Sequence, residues 1–366
     1  MARERNPFTP SFGIVPPYMA GRDAVLDDMH EAFSNGLGDP NLCTLLIGPR
    51  GSGKTALLSC IGDEARECGW LVVDAVAETG LLEDVMQHTA AAASLTVNPP
   101  ASRQLTGINV GNIIGLEWEA IPSEQLNWRM RMEQLLSVLA ENDTGLLITV
   151  DEVRTDVEEM IRLASSYQLF LRAGYKIGLV LAGLPANVTS LVEDKRVSFL
   201  RRARQRHLGT IGKADVARAF RKTIELSGKT IDTEALDTAV EAAKGFPYMI
   251  QLVGYCMWSE CGDAQVISLE HAQLGAQAAA LDFRTGVLDR TWAEMSNGDR
   301  SFATAMLPDN SGSSLTDVAK RMHRGTNYAS TYKKRLMQQG VISDRPGGTF
   351  DFDIPLMREY IADLHN

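Results

Sequence analysis

The sequence predicts an α/β fold, in which a parallel sheet carries a phosphate-binding loop and is followed by a helical domain and a C-terminal winged helix-turn-helix. Three observations predict it. The apolar run 42–47 ends in the glycine-rich Gly48-Pro49-Arg50-Gly51-Ser52-Gly53-Lys54-Thr55 and leads into an amphipathic stretch of helical spacing. A second apolar run, 145–153, ends in two carboxylates, Asp151 and Glu152. Far downstream, 315–354 reads as two short helices and a ribbon with a Gly347-Gly348 turn.

The first 20 or so residues hold Pro7, Pro10, Pro16 and Pro17 and read as an extended lead-in. Val25, Leu26, Met29 and Phe33 have helical spacing over 22–35, stopped near Gly36 and Gly38. Strand 42–47, the loop, helix 56–68 and strand 71–77 make a β-loop-α-β unit, the opening of a parallel sheet. A helix over 81–95 runs to Asn98-Pro99-Pro100. In 103–121, Gly107, Gly111 and Gly115 punctuate alternating apolar residues, which predicts an inserted hairpin; its Trp118 either packs on that hairpin or meets a partner. A helix over 123–140, the strand 145–153, a helix over 155–172 and a strand over 176–182 continue the α/β pattern. From about 185 to 290 the pattern is helical, with one strand candidate at 207–211. These breaks divide the chain into 1–211, 212–290 and 291–366.

The eight residues 48–55 fit GxxxxGK[ST]. Glycines let successive backbone amides turn toward phosphate oxygens, and the helix that follows adds its positive end. Gly48, Pro49, Arg50, Gly51, Ser52, Gly53, Lys54, Thr55 and the adjoining Ala56 are therefore the candidate nucleotide cradle. Lys54 is expected to reach the β- and γ-phosphates, and the Thr55 hydroxyl to ligate Mg²⁺. Asp151 stands where an α/β sheet presents ligand groups, at the C-terminal end of a strand, and joins Thr55 as a candidate metal ligand. Glu152 beside it is the candidate general base for an attacking water.

With both motifs placed, the chain resembles the AAA+ P-loop ATPases, and more narrowly their initiator-like, archaeal-ATPase and STAND branch. Met19-Ala20-Gly21-Arg22-Asp23 looks like the GRE box ahead of the phosphate loop, with Asp23 in the acidic position. That likeness implies that this segment, with Val15, Pro16 and Pro17, lies beside the adenine. Leu179–Pro185 occupies the sensor-1 position, and Gly245-Phe246-Pro247 looks like the GxP motif of the helical lid. Two departures accompany the likeness: Ala182 and Gly183 replace the polar sensor-1 residue, and the lid segment GFPYMIQ offers no sensor-2 arginine. The resemblance also implies an arginine finger acting on a neighbouring subunit, hence a homo-oligomer. Arg201 and Arg202 are its candidates within 199–206, the alternative being a solvated basic stretch.

In the C-terminal module, helices over 316–323 and 327–339 flank Gly325, and Gly340 leads into the ribbon. Ala329, Leu336, Ile342, Phe350 and Phe352 are its candidate core, while Asp351 and Asp353 read as alternating residues of a wing strand. Residues 315–345 hold seven basic against two acidic residues, a net +5. If the second helix enters a major groove, Asn327, Ser330, Thr331 and Lys334 are the residues to reach duplex DNA. The alternative is a winged helix that contacts protein or docks on the lid.

The 366 residues include 36 basic and 46 acidic ones, a formal charge of −10, with 45% hydrophobic and 22% charged residues. Such a chain is folded rather than disordered, and its charge argues against coating nucleic acid non-specifically. No apolar window suits a membrane span, and five cysteines without a CxxC pair read as reduced thiols. A cytoplasmic protein is expected. Two functions fit: an ATPase that uses ATP, ADP and Mg²⁺ to control its winged helix, or a nucleotide-gated DNA-binding regulator whose hydrolysis is slow or incidental.

Overall fold

A computed structural model describes residues 5–11, 14–96, 128–154 and 156–365. The expected hairpin at 103–121, with Trp118, lies outside the described residues, as does the start of the helix expected at 123. The first part of the chain contributes α1 (Asp23–Asn35), β1 (Cys43–Ile47), α2 (Lys54–Glu67), β2 (Leu71–Val76), α3 (Leu81–Thr96), α4 (Trp128–Glu141), β3 (Leu146–Asp151), α5 (Glu158–Arg172), β4 (Ile177–Gly183), α6 (Pro185–Glu193) and β5 (Arg204–His207). Their strands form one five-stranded sheet in the order β2-β3-β4-β1-β5, with every pairing parallel. Residue type follows position in that sheet. The inner strands β3 and β4 are buried almost throughout, as continuous apolar runs covered by helices on both faces must be. Edge strand β2 alternates between buried and solvent-facing residues.

The other edge corrects the strand expected at 207–211. The strand is Arg204–His207, and its four residues are polar and largely exposed. It forms because β1 has a free edge to pair with, so that Thr44 to Ile47 stand opposite Arg204 to His207. An edge strand that faces water needs no apolar alternation, and Leu208 and Ile211 are buried beyond its end instead.

The chain then builds α7 (Lys213–Leu226), β6 (Thr230–Ile231), α8 (Thr233–Ala243), α9 (Pro247–Cys261), β7 (Val266–Ile267) and α10 (Leu269–Phe283). A π turn over 284–288 joins α10 to α11 (Asp289–Glu294), so the expected boundary after 290 falls inside a helical run. Next come α12 (Asn297–Ala305), α13 (Leu315–Arg321), α14 (Thr326–Gln338), β8 (Ile342–Arg345), β9 (Thr349–Phe352) and α15 (Met357–Asp363), with β8 and β9 an antiparallel wing. Ala329, Leu336, Ile342 and Phe350 are buried as expected, and Phe352 is half-buried. Asp353 departs from expectation: it lies past the end of β9 and is buried, because Ser343 and Arg345 of the facing strand donate hydrogen bonds to its carboxylate.

Two apolar clusters sandwich the sheet, and a third runs without a break from Phe220 and Met249 through Phe302 to Phe350 and Ile361. The lid helices and the winged helix therefore share one core. The N-terminal lead-in is strapped onto it. Phe8 is buried, with its ring on Gly254 of α9, where a Cβ would come within 2.3 Å of it. Asn6 donates to the Tyr255 carbonyl, and the Thr9 amide donates to the Gln251 side chain. Burying one such ring contributes about 2 kcal/mol, enough to order a short segment that forms no helix or strand of its own. Among the described residues no helix is long and apolar enough to cross a membrane.

Candidate functional site

The C-terminal ends of β1, β3 and β4 open onto a cleft of about 850 Å³ between the sheet and the lid. Its floor is the loop that follows Ile47. Gly53 adopts a left-handed conformation, φ 85°, and stands at the N-cap of α2 without a side-chain cap. The first amides of that helix are thus left for an anion, where its dipole is positive. Arg50, Gly51, Ser52, Gly53, Lys54, Thr55 and Ala56 line the cleft. Gly48 and Pro49 serve it from behind, their carbonyls accepting bonds of 2.9 and 2.8 Å from Lys54 Nζ. Burial pushes the Lys54 ammonium down to about 8, against the opposing pull of Asp151 and Glu152. Among the described residues Ser52 Oγ is buried without a partner. These are features of a loop built to receive negative charge.

The two motifs converge although β4 separates their strands. Thr55 Oγ1 donates a 2.5 Å hydrogen bond to Asp151 Oδ2 across 96 residues of sequence. Asp151 Oδ1 accepts from the Glu152 amide at 2.8 Å. Glu152 itself is exposed and left-handed, with φ 52°. Such backbone is costly for a non-glycine residue and turns its carboxylate away from the strand direction, toward the cleft that it lines. Two hard oxygen donors in contact suit Mg²⁺, which keeps several waters and commonly takes only one or two protein ligands. Among the described residues there is no group of three or more His, Cys, Asp or Glu in metal-binding array.

Arg201 and Arg202 stand apart from this cleft. They end a 3₁₀ segment over 195–202, are exposed, and Arg201 Nε donates to the Val192 carbonyl at 3.3 Å. Among the described residues, neither lines the cleft.

Several cleft residues had no role assigned in the sequence, some inside marked segments and some outside them. Arg22 is 9% exposed and donates to the carbonyls of Ser52 and Gly209, tying the loop to the segment before the lid. Burial lowers its pKa from the ordinary guanidinium value. The box around Gly21 did mark this segment, but Asp23 is exposed and its ion pair is with Arg218, at 3.9 Å. At the sensor-1 position Ala182 and Gly183 are buried, and Asn187 in the first turn of α6 lines the cleft instead. An Asn after Leu-Pro carries no signal by itself. Gln251 and Tyr248 line the cleft from α9, while Phe246 and Pro247 abut Gly51 and Gly53. No arginine of the lid lines it among the described residues. From the winged helix comes Gln338, which no motif suggested.

The basic face of the winged helix is smaller than its composition implies. Asn327, Ser330, Thr331 and Lys334 are all exposed on α14. Of the seven cations in 315–345, five are ion-paired: Lys320 with Asp317, Arg321 with Asp309, Lys333 with Asp344, Arg335 with Asp299 and Arg345 with Asp353. Lys333 also lies over the Phe350 ring, 4.8 Å from its centre. Arg324 covers Tyr328, and Lys334 is the exposed cation left on the helix. Three of the neutralising carboxylates, Asp299, Asp309 and Asp353, lie outside the stretch whose charge was counted.

A family model described as a domain of unknown function, DUF8462, matches residues 285–361, which span the winged helix. Comparison with curated proteins gives no match. Among solved structures, the chain is similar to the ORC2 protein of Aeropyrum pernix in its ADPNP-ADP complexes. The two are 14% identical, with a TM-score of 0.60 over 98% of both chains. It is similar, too, to a Walker-type ATPase of Pyrococcus abyssi, at 14% identity and a TM-score of 0.63 over 94% of this chain and 96% of that one. The sheet order, the loop after β1, the helical lid and the C-terminal wing give this chain the fold of the initiator-like AAA+ P-loop ATPases with a winged-helix extension.

Proposed function

We propose that the chain binds ATP and ADP in the cleft between its sheet and lid, hydrolyses ATP with Mg²⁺, and uses nucleotide state to control the winged helix. The observation that carries this reading is the Thr55–Asp151 hydrogen bond at the free N-terminus of α2, which joins two motifs 96 residues apart. Likeness to the Aeropyrum pernix protein, whose complexes hold ADPNP and ADP, supports it through shared fold.

In this reading the amides of Gly51 to Thr55 cradle the phosphates, and Lys54 exchanges its two carbonyl partners for phosphate oxygens. Thr55 and Asp151 would hold Mg²⁺, whose charge offsets that developing on the phosphates. Glu152 takes the proton of the attacking water, and Asn187 stands where a polar group can orient that water. Arg201 or Arg202 would serve a neighbouring subunit's site, which makes fast turnover depend on assembly. The working division is a core over 1–211, a lid over 212–290 and a winged helix over 291–366, with ATP in the cytoplasm as its nucleotide source.

Replacing Glu152 by Gln keeps shape and removes the base. Glu152→Gln is expected to retain ATP affinity while phosphate release drops at least about a hundredfold. Equal slow turnover in both proteins would instead favour the second reading, a nucleotide-gated regulator that binds duplex DNA through Asn327, Ser330, Thr331 and Lys334. The observation favouring that reading is the exposure of all four residues on one helix.

A further inference from the structure

Among the described residues three arginines line the cleft: Arg22, Arg50 and Arg154. Arg22 is held by the carbonyls of Ser52 and Gly209. Arg50 leads from the phosphate loop toward the winged helix, its Cγ 3.5 Å from where a Cβ on Gly340 would stand. Arg154 differs from both. It follows β3 beyond Asp151 and Glu152, and the residue before it is fixed: Val153 is buried, and its amide donates to the Ala182 carbonyl of β4 at 2.9 Å. Backbone anchored at this point sets Arg154 on the rim of the cleft, in the lining that also holds Lys54, Glu152 and Asn187. Its guanidinium is held by one carboxylate. Nε and Nη2 donate to the two oxygens of Asp156, at 3.0 and 2.6 Å, with the forked geometry that also matches a phosphate. Both side chains are more than half exposed, and Asp156 lines the cleft as well. Water screens such a pair, so one anion is readily exchanged for another. The pair joins residues two positions apart and therefore ties no distant elements together.

We propose that Arg154 is a catalytic residue of its own chain's site, leaving Asp156 to bind the γ-phosphate of ATP, and that Asp156 is the positioning residue that holds it until then. This rests on the nucleotide reading above and adds to it a cation acting within one chain, which neither the lid nor Arg201 and Arg202 bring to the cleft. In the hydrolysis step the water oxygen bonds to the γ-phosphorus as the bond to the β,γ-bridging oxygen breaks. Glu152 takes the water's proton, and ADP leaves with the electron pair. Negative charge builds on the γ-phosphoryl and bridging oxygens along the way, and a guanidinium placed on those oxygens stabilises it. ADP has no γ-phosphate, so the fork returns to Asp156 once phosphate has left.

The test measures ADPNP and ADP affinity and ATP turnover of the full chain at fixed Mg²⁺ and salt. Arg154 and Asp156 are exposed, so their substitution leaves the core intact. Arg154→Ala is expected to weaken ADPNP binding about tenfold, leave ADP binding unchanged and lower kcat about a hundredfold. Arg154→Lys keeps the charge without the fork and should recover part of both losses. Asp156→Asn frees the arginine and should tighten ADPNP relative to ADP by about threefold, an effect absent when Arg154 is already replaced by Ala. Mixing the Arg154→Ala and Glu152→Gln chains should restore no turnover, because both groups act in one chain's site. Restored turnover would place the arginine in a neighbouring subunit's site and overturn the assignment. An Arg154→Ala chain whose ratio of ADPNP to ADP affinity is unchanged overturns the proposal while leaving nucleotide binding standing. A wild-type chain that binds neither nucleotide overturns the underlying reading as well.

Discussion

The phosphate loop and α14 each carry clustered cations, and the partners of those cations differ in kind. Lys54 is held by two backbone carbonyls, which it can exchange for a ligand, and beside it Ser52 Oγ has no partner among the described residues. On the winged helix Arg335 is held by the fully buried Asp299, Arg321 by Asp309 on two hydrogen bonds, and Arg345 by Asp353. Carbonyl partners leave the net charge of the loop available to an anion, whereas carboxylate partners neutralise it. Counted along the sequence, the winged helix is the more basic region. In three dimensions the loop is the one prepared for negative charge, and the wing presents Lys334 together with neutral donors.

The comparison can be broken first on stability. Arg335→Ala leaves the buried Asp299 carboxylate without its counter-ion, and unfolding by urea should report a loss of about 3 kcal/mol. Lys54→Ala removes a buried cation that has no carboxylate hydrogen bond, so it should not destabilise the chain while abolishing nucleotide binding. Should Arg335→Ala unfold at the wild-type midpoint, the wing's cations are not structural and the contrast fails.

A pH titration probes the same contrast at the wing's far side. Burial, with the hydrogen bond to Asp289, pushes the Tyr360 hydroxyl up to about 12. The folded chain then keeps a proton that the unfolded chain releases near pH 10, so this stabilisation is complete below pH 10 and is lost as pH climbs to about 12. Tyr360→Phe should flatten that part of the stability curve; an unchanged curve would show that the contact contributes nothing to folding.

The smallest expected effect separates two adjacent lysines. If duplex DNA binds, Lys334→Ala should lower the slope of log affinity against log salt by about 1. Lys333→Ala, which removes the ion pair with Asp344 and the contact with Phe350, should leave that slope unchanged and lower stability by at most about 1 kcal/mol. Equal slopes for the two variants would mean that both contact phosphate.

Much of the core was legible because local patterns dictate it. The apolar runs of β1, β3 and β4 are continuous since these strands are covered on both faces, and the glycines of the loop are needed for its backbone. β5 was misread because an edge strand composed of Arg204, Gln205, Arg206 and His207 has no apolar signature. The period-two alternation that puts Asp353 in a wing strand does not hold, because the strand ends at Phe352 and Arg345 and Ser343 take Asp353 inside. Arg22 lay in a marked box, yet only packing reveals that it, rather than Asp23, reaches the loop.

By itself the sequence determined the chemistry of each segment: a loop that receives phosphate, acids at a strand end, and a helix-turn-helix with a wing. Those properties depend on residues within a few positions of one another, so backbone preference and apolar periodicity encode them locally. The tertiary structure alone decided the strand order, the pairing that neutralises the wing's cations, and the meeting of Gln338 and Gly340 with the phosphate loop. Each depends on groups tens to hundreds of residues apart, whose contact follows from how whole elements pack and not from any neighbouring pattern.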